Sequence, residues 1–142
     1  MTTTSIQLRP TDPATETFRG TPAVRARDLA EWRGWLAEHG ETHARIWLII
    51  FTAGSDEPTV GYREAIEHAL CFGWVDSLVV KRDDTSCYLS FSPRNPRSTW
   101  SATNRERAER MTRLGFMRQP GMTSIELAIR TGRWEPPTTD RR

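Results

Sequence analysis

Between positions 74 and 104 the chain carries five side chains whose types could act on one ligand: Trp74, Asp76, Arg94, Trp100 and Asn104, with Ser101 beside the last two. Asp76 is the most informative of them. It lies in an apolar, β-branched run between Val75 and Leu78, where a carboxylate is poorly solvated and an unpaired charge is costly. Arg94 is the best partner in the chain, because its fork of N–H donors suits a carboxylate and Pro93 fixes the backbone just before it. Two chemistries follow if a cleft adjoins the pair. Asp76 acts as a general acid or base while Arg94 holds an anionic group, or the two form the polar floor of a binding site walled by Trp74 and Trp100. Without a cleft they form a closed structural network. Helical spacing from Trp100 through Asn104 and Ala108 to Met111 turns the Asn104 amide inward. There it needs partners, with Asp76, the Arg94 loop and a ligand all open to it.

Other reactive residues carry less. Cys71 and His68 share a helix face, but Cys71 falls in the last helical turn, where the negative end of the dipole disfavours a thiolate. His39 and His43 are separated by a helix end at Gly40, and no His, Cys and carboxylate cluster has ligand spacing, so no metal and no cofactor are expected. The sequence has neither a phosphate-cradling glycine loop nor a Gly-x-Ser-x-Gly elbow. The arginine-rich stretch 102–114 could bind nucleic acid, yet Glu106 and Glu109 stand four residues before Arg110 and Arg113 and answer much of its charge. A solvated helix face is the better reading.

The elements that would position these groups can be read from caps and periodicity. Asp28 and Glu31 have capping-box spacing at the start of a helix that carries Leu29, Trp32 and Leu36 on one face and ends at Gly40. Residues 44–52 form a strand apolar on both faces, as a central strand would be. A second helix spans 62–72, with Gly61 before it and Gly73 closing it. Strands 74–81 and 86–91 make a hairpin about the polar turn 82–85. Pro93 and Pro96 turn the following segment into a loop. A third helix spans 102–114 with Ser101 as N-cap, and a fourth starts at Thr123, whose spacing to Glu126 is again that of a capping box. The expected fold is α+β: one domain with a small, mainly antiparallel sheet of about three strands packed by about four helices.

The 142 residues suffice for a single core. Residues 1–17, rich in Thr, Pro and charge, read as a flexible arm, 18–135 as the domain and 136–142 as a flexible tail. Net charge is +2, divided as −4 over residues 1–92 and +6 over 93–142, which suits attraction between the halves of one fold. Two cysteines, no signal-like N-terminus and a longest apolar run of only 46–51 point to a cytoplasmic, reduced protein without membrane insertion. Oligomeric state is not legible.

The run Tyr62-x-Glu64-Ala65, Ala69-Leu70-Cys71-Phe72-Gly73-Trp74-Val75-Asp76, Phe91-x-Pro93-Arg94, Trp100-Ser101-x-x-Asn104, Gly115-x-Met117-x-x-x-Gly121 and Gly132-x-Trp134 resembles the YdeI/OmpD-associated, or bacteriocin-protection, family over residues 28–134. The resemblance implies a bacterial cytoplasmic protein linked to protection against bacteriocins, cationic peptides or envelope stress, with no established catalytic residues. It departs from the pattern at Thr52-Ala53-Gly54 and at Arg105, where similar sequences carry lysines. The leading expectation is therefore a resistance or stress protein that binds a small molecule or peptide in a cleft lined by Trp74, Asp76, Arg94, Trp100, Ser101 and Asn104.

Overall fold

The computed structural model describes residues 15–135, and the expected tail 136–142 lies outside them. Along the chain come β1 (Thr15–Phe18), β2 (Thr21–Arg25), α1 (Leu29–His39), β3 (Ile46–Phe51), α2 (Tyr62–Leu70), β4 (Trp74–Asp83), β5 (Ser86–Pro93), α3 (Ala102–Arg113) and α4 (Gln119–Arg130). The α+β class and the four helices agree with the sequence. The sheet does not: among the described residues it has five strands in the order β1-β2-β3-β5-β4, and it is mixed, because β2 runs parallel to β3. Of the expected arm 1–17, residues 1–14 lie outside the described residues, while Thr15–Phe18 pairs with Thr21–Arg25. Arg19 and Gly20, with φ of 53° and 76°, supply the left-handed pair that a two-residue hairpin loop of matching twist requires.

Most local signals act as expected. Asp28 accepts from Glu31 N at 2.9 Å, although Glu31 reaches back to Arg27 N at 2.8 Å rather than to the cap residue itself. Ser101 caps α3 by accepting from Asn104 N. Helix α4 starts four residues before the expected Thr123, with Pro120 in its first turn, and Thr123 lies inside it.

Strand β3 is central and buried on both faces, which its unbroken apolar run requires. On one face Ile46, Leu48 and Ile50 pack with Leu89 and Phe91 under Trp32, Leu36 and Ile66 from α1 and α2. On the other, Trp47, Ile49 and Tyr88 are covered by Phe18 from β1 rather than by a helix. Phe18 stacks on Tyr88 with centroids 4.1 Å apart, although β1 and β5 stand three places apart in the sheet. The sheet must therefore curl. Glu16 locks the curl, accepting from Tyr88 Oη on β5 and from Arg82 on β4 at 3.0 and 3.1 Å. A third cluster, Leu70, Trp100, Ala108, Ile125 and Ala128, joins α3 and α4 to the end of α2. Gly121 permits that junction, since a Cβ there would stand 2.5 Å from Cys71 O and 2.6 Å from Leu70 O.

Candidate functional site

The junction of α2 with α4 leaves a groove beside it. Two hollows of about 490 and 290 Å³ share Gly40, Glu41, Phe72 and Pro120 as walls, so they adjoin. Arg33 and Arg118 border the larger hollow, and Trp74, Pro93, Arg94 and Leu127 the smaller. The groove thus runs between the end of α1, the turn after α2, the first turns of α4 and the loop after β5. It has apolar walls, cations at both ends and one carboxylate, Glu41, between them.

Arg94 is set by backbone first. Its N–H donates to Gly73 O at 2.8 Å, and Gly73 holds φ at +80° where a Cβ would crowd Pro120 O at 3.1 Å. The guanidinium then lies 4.1 Å from the centre of the Trp100 ring and donates once, to Ser98 O at 3.3 Å. Among the described residues no carboxylate lies within ion-pair distance of it. Burial without a counter-charge pushes this arginine down from the usual range.

The expected Asp76–Arg94 pair is not formed. Asp76 is half-buried on β4 opposite Phe91, and among the described residues its carboxylate takes part in no hydrogen bond or ion pair. The other expected site residues are occupied elsewhere. Trp74 is buried and spends its Nε1–H on Gly40 O at 3.1 Å, and Trp100 is buried beneath Arg94. Ser101 is a helix cap, and Asn104 Oδ1 accepts from Arg107 at 3.0 Å instead of meeting Asp76 or Arg94. Of the six, Trp74 and Arg94 line the groove directly and Trp100 supports it from below.

Sequence reasoning missed the other end. Arg33 donates to His68 Nδ1 at 2.8 Å and to Phe116 O at 3.0 Å, and lies over the rings of Phe72 and Phe116. Arginine has no acceptor, so His68 is the neutral tautomer with its proton on Nε2. Burial, and then the Arg33 charge, push the His68 pKa down. Its neighbour Cys71 is buried, donates to Glu67 O, and burial pushes its thiol up, which leaves no thiolate for nucleophilic work. The one available signal for Arg33 was a cation set between Trp32 and Trp35.

Of the α3 arginines, Arg110 pairs with both Glu106 and Glu67 and Arg107 donates to the neutral Asn104 amide, while Arg105 Nε is buried without a hydrogen-bond partner among the described residues. Among the described residues no three His, Cys, Asp or Glu side chains are grouped so as to hold a metal ion. No described helix is long and apolar enough to cross a membrane.

The family described as a domain of unknown function (DUF8412) matches residues 24–124. The chain belongs to the DUF8412 family. The DUF8412 match takes in Arg33, Phe72, Arg94 and Arg118, and so both ends of the groove, while the closing strand β1 lies before it. Neither a curated protein nor a solved structure matches the chain.

Proposed function

We propose that this protein is a non-catalytic binding protein, which takes a small molecule or short peptide carrying a carboxylate or similar oxyanion into the groove between Arg94 and the Arg33–Arg118 end. The observation that carries this reading is Arg94: a partly buried guanidinium over an indole, with one hydrogen bond and no carboxylate partner among the described residues. A cation held in that state costs free energy within the protein, and an oxyanion that accepts its remaining N–H donors recovers it. Pro93, Phe72, Pro120 and Leu127 offer apolar walls to the rest of the ligand, as in most small-molecule sites. Glu41 suits an amino group, so a peptide fits the charge pattern better than a simple dicarboxylate. The resemblance to the bacteriocin-protection family supplies the physiological setting: a cytoplasmic bacterial protein of antimicrobial or stress protection, acting by capture rather than turnover. Asp76 is not a wall of the groove, which favours binding over the acid–base alternative.

Titration of the full chain with short peptides that differ only in a free or amidated C-terminus tests this by calorimetry. Peptides with the free carboxylate should bind, amidation should weaken them about tenfold or more, and Arg94→Met should remove the difference. Equal affinity for the two forms, or retention of the difference in Arg94→Met, would sink the reading.

A further inference from the structure

Asp76, which the groove does not use, lies on a strand with an open edge. In the order β1-β2-β3-β5-β4, strand β4 has β5 on one side and, among the described residues, no strand on the other. Among the described residues the backbone groups of Val75–Asp83 that face away from β5 have no backbone partner. Exposed edges are usually blunted by proline, charged side chains, bulges or brevity, and β4 carries Asp76, Lys81 and two register shifts, one after Asp76 and one after Lys81. This one is ten residues long, lacks proline, and shows Leu78 and Val79 at its middle, 44% and 48% exposed.

The edge also carries a charge pattern that depends on a β-bulge. Asp76 opposes Phe91 and Val79 opposes Leu89, so Ser77 and Leu78 together face the single residue Ser90. Past the bulge, Lys81 opposes Cys87. Phe91, Leu89 and Cys87 are alternate residues of β5 and share one face, so Asp76, Val79 and Lys81 share it too. Without the extra residue Asp76 and Lys81, five apart in sequence, would point to opposite faces. The result is an anion, an exposed valine and a cation at even spacing along one face of an open edge.

We propose that β4 is the surface through which two copies of this chain associate, edge to edge and antiparallel about a two-fold axis at Val79. That operation sets Val79 against Val79 and Asp76 of each copy against Lys81 of the other, which is the self-complementarity a two-fold contact demands. Within one copy neither charge has a strong partner: Asp76 has none among the described residues, and Lys81 has Asp84 at 3.4 Å with both side chains largely in solvent. The paired edges would supply main-chain hydrogen bonds, and Leu78 and Val79 would leave water. The contact is small, so its dissociation constant should lie in the micromolar range.

Sedimentation equilibrium of the full chain, from about 1 μM to about 1 mM, should show a reversible monomer–dimer transition. Asp76→Lys and Lys81→Asp should each weaken it about tenfold or more, because each creates two like-charge pairs across the axis. The double variant Asp76→Lys with Lys81→Asp should return to within about threefold of the natural protein. Circular dichroism of each variant separates loss of association from loss of fold. A monomer over the whole range, single reversals without effect, or a double variant that does not recover would each overturn the proposal. Dimerisation that appears only after removal of residues 1–14 would overturn it as well, and give the edge to the chain's own N-terminal segment.

Discussion

Arg82 and Arg94 are both partly buried and both lie near aromatic rings, yet the protein treats them in opposite ways. Arg82 donates to both oxygens of Glu16, touches Asp83, and sits beside Tyr88, whose hydroxyl donates to the same Glu16. Its charge is neutralised where the curl brings the Glu16 side chain of β1 to β4 and β5, and hydrogen bonding to Glu16 pushes it up from the usual arginine range. Arg94 has an indole, one carbonyl and, among the described residues, no carboxylate, and burial pushes it down. A guanidinium that meets its carboxylate inside the fold is a fastener. One that is desolvated and left unanswered is available to something from outside. Arg33 stands between these cases, because its partner, His68, is neutral.

The largest effect should come from removing the support of the open site while leaving the closed one untouched. In Gly121→Ala the new methyl meets backbone carbonyls of Leu70 and Cys71, which cannot swing away as a side chain would. We expect about 3 kcal/mol of destabilisation by urea unfolding, with loss of peptide binding in whatever remains folded. A cost below about 1 kcal/mol would mean that α4 shifts freely and that the groove wall is soft.

Glu16→Gln breaks the closed site. Discounted for the partial exposure of both partners, the loss of its charge-assisted bonds should cost about 1 kcal/mol. The pH dependence has a defined sign. Hydrogen bonds from Arg82, then from Tyr88, hold the Glu16 pKa below its unfolded value. Its contribution is therefore complete above the ordinary glutamate pKa and is lost as pH falls through the lowered, folded one. Unfolding curves of the natural protein and Glu16→Gln should converge on acidification, and parallel curves would show that the pair is not coupled to folding.

At the intermediate site His68 is held neutral, with its folded pKa below the unfolded value. As pH drops below about 6.5 the unfolded chain takes up a proton that the folded state resists, so stability falls. This dependence sets in at higher pH than that of Glu16, and it should vanish in His68→Gln. Persistence of the slope in that variant would assign it to another group. The smallest effect is predicted for the stability of Arg94→Met, which should unfold within about 0.5 kcal/mol of the natural protein despite losing carboxylate discrimination. A large loss there would reclassify Arg94 as a fastener and remove the basis of the binding proposal.

How much of this was legible varies with distance along the chain. The caps at Asp28 and Ser101, the left-handed Gly73 and the two-faced burial of Ile46–Phe51 were readable, because each depends on residues within a few positions. Strands β1 and β2 were not. They lie in a Thr- and Pro-rich stretch of weak propensity, and are held by a parallel pairing with β3 and by Glu16 contacts 66 and 72 residues away. The Asp76–Arg94 pair failed for a different reason: the residue types were complementary, but ladder register governs which strand residues meet. Trp74 opposes Pro93, Asp76 opposes Phe91, and Arg94 turns off toward Gly73 and Trp100.

By itself, then, the sequence determined the α+β class, the caps at Asp28 and Ser101, the two-faced burial of Ile46–Phe51 and the local conformation that releases Arg94 from β5. These follow from propensity, capping and burial, which act over a turn or a few residues. Only the tertiary structure decided which charges are answered. Curling brought Glu16 to Arg82, the bulge aligned Asp76 with Lys81 on an open edge, and the close approach at Gly121 left Arg94 beside a groove with no carboxylate in ion-pair reach among the described residues. Charge pairing acts over a few ångströms in space, and sequence spacing does not measure that distance once the chain folds back on itself.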